Sequence, residues 1–162
     1  MATIVWITEG TWEAAIDAAR RFGPSDTAIT IVHVRDDEVA QAAHGSFAGL
    51  LGRGHPDRDP GSRVETLGAA AATHLLEDAA TRLGKPASTL SLQGRIEREV
   101  VRISADADLL ICARDGDRTR LGPRSLGPTT RFVVDHAPCP VMLVWPGKTP
   151  GIGSIPPPPT VG

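Results

Sequence analysis

The chain has little cysteine: two residues, Cys112 and Cys139, in 162. Two thiols so placed have no metal-ligand spacing, which excludes a zinc ribbon or finger. Buried free thiols in a reducing compartment are the expected reading, with a disulfide as the alternative. Charge of one sign is lacking as well, since 17 Lys and Arg face 19 Asp and Glu for a net −2. That balance gives no overall pull toward nucleic acid or an anionic membrane. No run approaches the ~20 apolar residues that span a bilayer. Residues 1–7 hold neither a basic region nor a signal-length apolar core, so a cytoplasmic protein is expected. Catalytic signatures are missing too. There is no Gly-x-Ser-x-Gly elbow and no His-Glu-x-x-His zinc helix. Pro146-Gly147-Lys148-Thr149 only looks like the end of a phosphate loop, because Met142 stands where its first glycine belongs and Pro150 forbids the following helix. Gly151-Ile152-Gly153 has Pro156 where a dinucleotide fingerprint needs its last glycine.

What is present is apolar residue in short, regularly spaced runs. At 41% apolar, the chain suits one domain with a sizeable core. Residues 3–7 (Thr-Ile-Val-Trp-Ile) read as a buried strand, and Glu9-Gly10-Thr11 as the turn into a helix reaching residue 21. Trp12, Ala15, Ile16, Ala19 and Phe22 would form its apolar stripe. Residues 28–34 are a second strand, in which His33 reads either as a functional group or as a packed strand-end histidine. A long Ala-rich helix is expected over residues 64–83, with Leu67, Ala71, Leu75, Ala79 and Leu83 buried. Residues 88–92 alternate like a half-buried strand, and Ile96, Val100 and Ile103 share a face of the next helix. Leu109, Leu110, Ile111, Cys112 and Ala113 form a core strand; Val141, Met142, Leu143, Val144 and Trp145 form the last.

Between the second strand and the long helix lies a variable insertion, residues 36–63. It reads as a short helix around 39–51 and then a charged, breaker-rich loop over 52–61. His55, Asp57 and Asp59 there lack ligand spacing, so no metal site is assigned. Residues 1–146 make the domain; residues 147–162, dominated by Pro, Gly, Ser and Thr, make a flexible tail containing four consecutive prolines, Pro156 to Pro159. That tail reads as inert, or as a ligand for a proline-reading domain. Strands and helices alternate throughout, which predicts an α/β fold, a parallel sheet with helices on both faces and right-handed crossovers.

One loop carries chemistry. Residues 114–130 follow the core strand and lead into a helix that Pro128 can open, because a proline at the first helical position gives up no needed N–H. Gly116, Gly122 and Gly127 allow close backbone approach, and the helix start offers free N–H donors to an anion. Thr129 and Thr130 supply hydroxyls, and Arg118, Arg120 and Arg124 could pair with phosphate oxygens. The competing reading is a solvated loop whose arginines offset Asp115 and Asp117.

The stretch ends in His136-Ala137-Pro138-Cys139-Pro140-Val141, and with the loop before it the chain resembles the universal stress proteins across about residues 2–145. Their pattern is Gly-x2-Gly-x9-Gly-Ser/Thr, a helix, and that same six-residue run. Gly127 takes the last glycine and Gly116 the second, with one extra loop residue. Ala113 stands in place of the first glycine and Pro128 in place of the hydroxyl residue. The resemblance implies an open five-stranded parallel sheet of order 3-2-1-4-5, a flavodoxin- or Rossmann-like three-layer sandwich. It implies a stress-response regulatory protein that binds ATP, with Mg, or another adenine nucleotide, in the crevice between the first and fourth strands. By this resemblance Glu9 and Gly10 face the nucleotide, the backbone at Val32 meets adenine, and Gly116, Gly127, Thr129 and Thr130 take the phosphates. No catalytic residue is assigned; at most slow ATP hydrolysis is in reach. The resemblance also implies a homodimer through the last strand. The alternative is a dimeric interaction module of the same fold without nucleotide, and a third reading is an enzyme acting on a small anion in the same crevice. Protein partners are not identified by the sequence.

Overall fold

The computed structural model describes residues 1–38, 41–42 and 60–162. Five strands run β1 (Ala2–Trp6), β2 (Ala28–Asp36), β3 (Ser88–Gly94), β4 (Leu109–Ala113) and β5 (Val141–Val144). Among the described residues the connecting helices include α1 (Trp12–Phe22), α2 (Pro60–Leu83), α3 (Ile96–Ile103) and α4 (Pro128–His136), and residues 37–38 and 41–42 are helical as well. All pairings are parallel and the order is β3-β2-β1-β4-β5, as expected. The expected helix around residues 39–51 falls almost wholly outside the described residues, as does most of the loop at 52–61. Where that loop was expected to end, at Pro60 and Gly61, the chain is already helical, so α2 starts four residues early. β2 runs two residues past the expected end because Arg35 and Asp36 find ladder partners in Gln93 and Gly94. Among the described residues, no helix is long and apolar enough to cross a membrane.

Strand alternation divides the core into two layers. Val5, Ile7, Ile29, Ile31 and Ile111 pack against Ala15, Ile16 and Ala19 of α1 and Leu76, Ala79 and Leu83 of α2. Trp6, Val32, Val34, Leu110 and Cys112 point the other way, onto Val100 of α3 and Val133 of α4. β1 and β4 lie at the centre, covered on both faces, which is why they read as continuous apolar runs. Two stripes need correction. In α2 the buried apolar side chains are Ala72, Leu76, Ala79 and Leu83, while Leu67 is 71% exposed. A strict four-residue spacing advances about 40° per step around a helix of 3.6 residues per turn, so Leu67 cannot share a face with Leu83. In α1, Phe22 lies in the last turn and is 57% exposed, with Arg21 stacked on its ring.

Candidate functional site

The strand order reverses between β1 and β4, so crossovers leave these neighbours in opposite directions and open a crevice at their carboxyl ends. Two loops flank it: residues 8–11 and residues 114–130. They meet where the Arg118 guanidinium donates to the Gly10 carbonyl at 3.4 Å. Gly10 has φ 81°, a left-handed conformation that suits glycine and lets the chain turn sharply out of β1. Thr8 and Thr11 hydroxyls, 2.8 Å apart, close that turn.

The longer loop is folded on itself. Gly116 N–H donates to Ser125 O and Asp117 N–H to Arg124 O, at 2.9 and 2.8 Å. A Cβ on Gly116 would lie 2.3 Å from Arg124 O, so this glycine serves contact within the loop. Asp117 accepts from the Thr119 amide and hydroxyl and pairs with Arg120 at 3.1 Å. Those bonds, Thr119's first, hold its carboxyl down at about 2. Arg114 donates to Ser125 Oγ at 2.5 Å and lies over the Trp145 ring, 4.7 Å from its centroid. Past β5, a short 3-10 turn (Ile152–Ser154) returns to the loop, where Ser154 Oγ accepts from Leu121 N–H at 3.0 Å.

The start of α4 carries the decisive contact. Gly127 N–H, the amide expected to meet a phosphate, donates to Asp115 Oδ1 at 2.7 Å. A carboxylate there satisfies an orphan helix-end donor and complements the positive dipole end, as a phosphate would. A Cβ on Gly127 would sit 3.1 Å from either Asp115 oxygen, so the glycine makes room for the carboxylate. Of the two readings of the loop, Asp117–Arg120 follows the self-compensating one. Asp115 follows neither, because its partner is a backbone amide twelve residues on. No local spacing signals such a bond.

Of the remaining predicted residues, Thr129 and Glu9 line two separate hollows on opposite faces of the sheet. Thr129 lines one of about 390 Å³ with Asp36, Glu38, Arg95 and Glu97. Arg95 and Glu97 are paired at 2.6 Å, so Asp36 and Glu38 leave its wall acidic. Thr130 is buried and lines neither hollow. Glu9 lines the other hollow, about 450 Å³, with His33, Arg35, Gln93 and the small residues Gly68, Ala71 and Ala72 of α2. His33 Nδ1 and Arg35 Nε are buried there with no hydrogen-bond partner among the described residues. Burial lowers the His33 pKa, with Glu9 opposing, so the ring is neutral at neutral pH. Val32 belongs to neither hollow: it is fully buried and its carbonyl accepts from Ile7 N–H at 2.9 Å. Cys112 is no nucleophile, since burial pushes its thiol up to about 12. Among the described residues, no group of three metal-ligating side chains forms.

An open, all-parallel sheet wound on both faces, with two loops converging on its switch point, defines a doubly wound α/β domain. The universal stress protein family model matches residues 8–144, and the chain belongs to that family. No curated protein matches the chain closely. Among solved structures, hypothetical protein MJ0577 is similar at 16% identity and a TM-score of 0.68, covering 91% of this chain and 97% of that one. A universal stress protein in complex with cAMP aligns at 16% identity and 0.56, covering 91% and 98%. UspA of Lactobacillus plantarum aligns at 20% and 0.55, covering 88% and 96%. At these identities the likeness is one of fold.

Proposed function

We propose that this universal stress protein is a regulatory module of the stress response that acts through its surfaces, with its phosphate seat filled by its own Asp115. The 2.7 Å bond from Gly127 N–H to the Asp115 carboxylate carries this reading. A triphosphate would have to displace that carboxylate and face the acidic wall of Asp36 and Glu38. The loop glycine Gly116 is committed to its own loop. ATP and Mg therefore do not fit this arrangement as it stands. Contact with a second copy is assigned to β5, an outer strand of the sheet, whose outer edge has no neighbouring strand among the described residues.

A second reading rests on the hollow beside Glu9. Its floor of Val34, Val64, Ala71 and Ala72, together with His33 Nδ1 and Arg35 Nε, which have no hydrogen-bond partner among the described residues, suits a compact ring such as an adenine base, within a rim that Glu9, Asp36 and Glu65 make acidic. The cAMP complex of a relative accords with an adenine nucleotide carrying a single phosphate. Thermal shift with adenosine, cAMP and ATP plus magnesium, beside mass spectrometry of the denatured protein, separates the two. No carried nucleotide and no shift is the expected result. A shift with adenosine or cAMP alone favours the second reading, and a shift with ATP overturns the proposal. Sedimentation velocity should report a dimer; a monomer at all concentrations would remove the role given to β5.

A further inference from the structure

The tail does something the crevice does not. Pro150 through Ser154 return to the body, where Ser154 Oγ accepts from Leu121 N–H at 3.0 Å and donates to Gly151 O at 2.6 Å. Ser154 N–H also bonds Gly151 O, at 2.9 Å. Beyond this pinned turn the chain departs. Ile155 has φ −66° and ψ 124°, extended backbone, and every residue from Ile155 to Gly162 is exposed. Each of Ile155, Pro156, Pro157 and Pro158 precedes a proline, and each proline ring fixes its own φ, so this segment is held to polyproline II. Ile155 is 53% exposed although nothing polar requires it to be outside.

We propose that Ile155 to Pro159 form a docking peptide for a partner protein with an aromatic-lined, polyproline-reading groove. A polyproline II helix has three residues per turn and rises about 3.1 Å per residue, so Ile155-Pro156 and Pro158-Pro159 lie on one edge about 9 Å apart. Two apolar-proline pairs one turn apart are what paired aromatic clefts accept, and a stiff rod loses little entropy on binding. Residues 149–162 carry no charged side chain, so recognition rests on ring packing and carbonyl acceptors, and binding is weak and insensitive to salt. The pin at Ser154 keeps the rod clear of its own domain and beside the 114–130 loop.

The test uses the full chain and two probes with aromatic grooves, an isotope-labelled WW domain and an SH3 domain, followed by NMR. Saturable shifts confined to the aromatic groove of at least one probe are expected, unchanged between 50 and 500 mM salt, on the order of the range over which screening matters. The double variant Pro156→Ala/Pro159→Ala touches no folded contact and should weaken binding about tenfold or more. No groove shifts with either probe, or equal binding by wild type and variant, would overturn the proposal. So would tail-dependent self-association of the chain that excludes the probes, since the occupant would then be a second copy.

Discussion

Replacing Asp115 should do two things of opposite sign. The carboxylate satisfies Gly127 N–H at the start of α4. Loss of such a cap costs about 1 kcal/mol, toward the low end here because Asp115 is exposed. For a chain of this size, 1 kcal/mol corresponds to about 2–4 °C in Tm. Asp115→Ala should therefore melt about 3 °C lower. The same change removes a negative charge from the proposed phosphate seat. Two like charges about 4 Å apart repel by roughly 1 kcal/mol in water and 4 kcal/mol at an effective dielectric constant of 20. At an exposed site the smaller figure governs, about fivefold in affinity for each phosphate charge. ATP bearing several charges should then bind Asp115→Ala at least tenfold more tightly than wild type, by about 1.4 kcal/mol or more. Saturating the variant with ATP would restore the lost stability, because a ligand at 100 times its Kd stabilises by about 2.7 kcal/mol. Asp115→Asn separates the two effects: its amide oxygen still accepts from Gly127, so Tm should hold while ATP affinity rises. Calorimetric unfolding with titration calorimetry reads both quantities. An Asp115→Ala variant as stable as wild type, with ATP affinity unchanged, would refute the argument that this carboxylate stands in for phosphate.

Two further outcomes follow from the loop. Gly116→Ala drives a methyl into the Arg124 carbonyl, a backbone clash no rotamer relieves, and should cost about 2 kcal/mol by thermal unfolding; a loss under about 0.5 kcal/mol would mean the loop is open in solution. Asp117, held at about 2 by Thr119 and Arg120, has its folded pKa below the ordinary 3.8. Its contribution is thus fully present above 3.8 and is lost as pH falls toward about 2. Carbon-detected NMR should show the Asp117 carboxyl titrating near 2, and a midpoint close to 3.8 would show that the Thr119 bonds are not kept.

The sheet was legible because central strands announce themselves. Residues 109–113 are β4 to the residue, and Pro128 and His136 bound α4 as the proline rules require. Helix faces were less so: an evenly spaced row of Leu and Ala in α2 passed for a stripe, although the buried set alternates steps of three and four. The ends of β2 and α2 shifted because they depend on β3 and on packing, which no local window contains. At the site, the loop and helix start were readable from glycine, proline and arginine. Their internal bonding was not. Asp115 and Gly127 are twelve apart, and Glu9 and Thr129 fall on opposite faces, which depends on strand alternation and on helices placed by the whole fold.

The segment after β5 is stitched to the glycine loop at two points, the Arg114 guanidinium on the Trp145 ring and Leu121 N–H on Ser154 Oγ, beside the bond from Arg114 N–H to Val144 O of β5 at 2.8 Å. A partner that bound residues 155–159 and held Ser154 in place would restrain the loop through these bonds, and a ligand that fixed the loop would hold the segment ready for that partner. Linkage makes the two effects equal in free energy. A message received at one end can thus be delivered at the other without any rearrangement of the sheet between them.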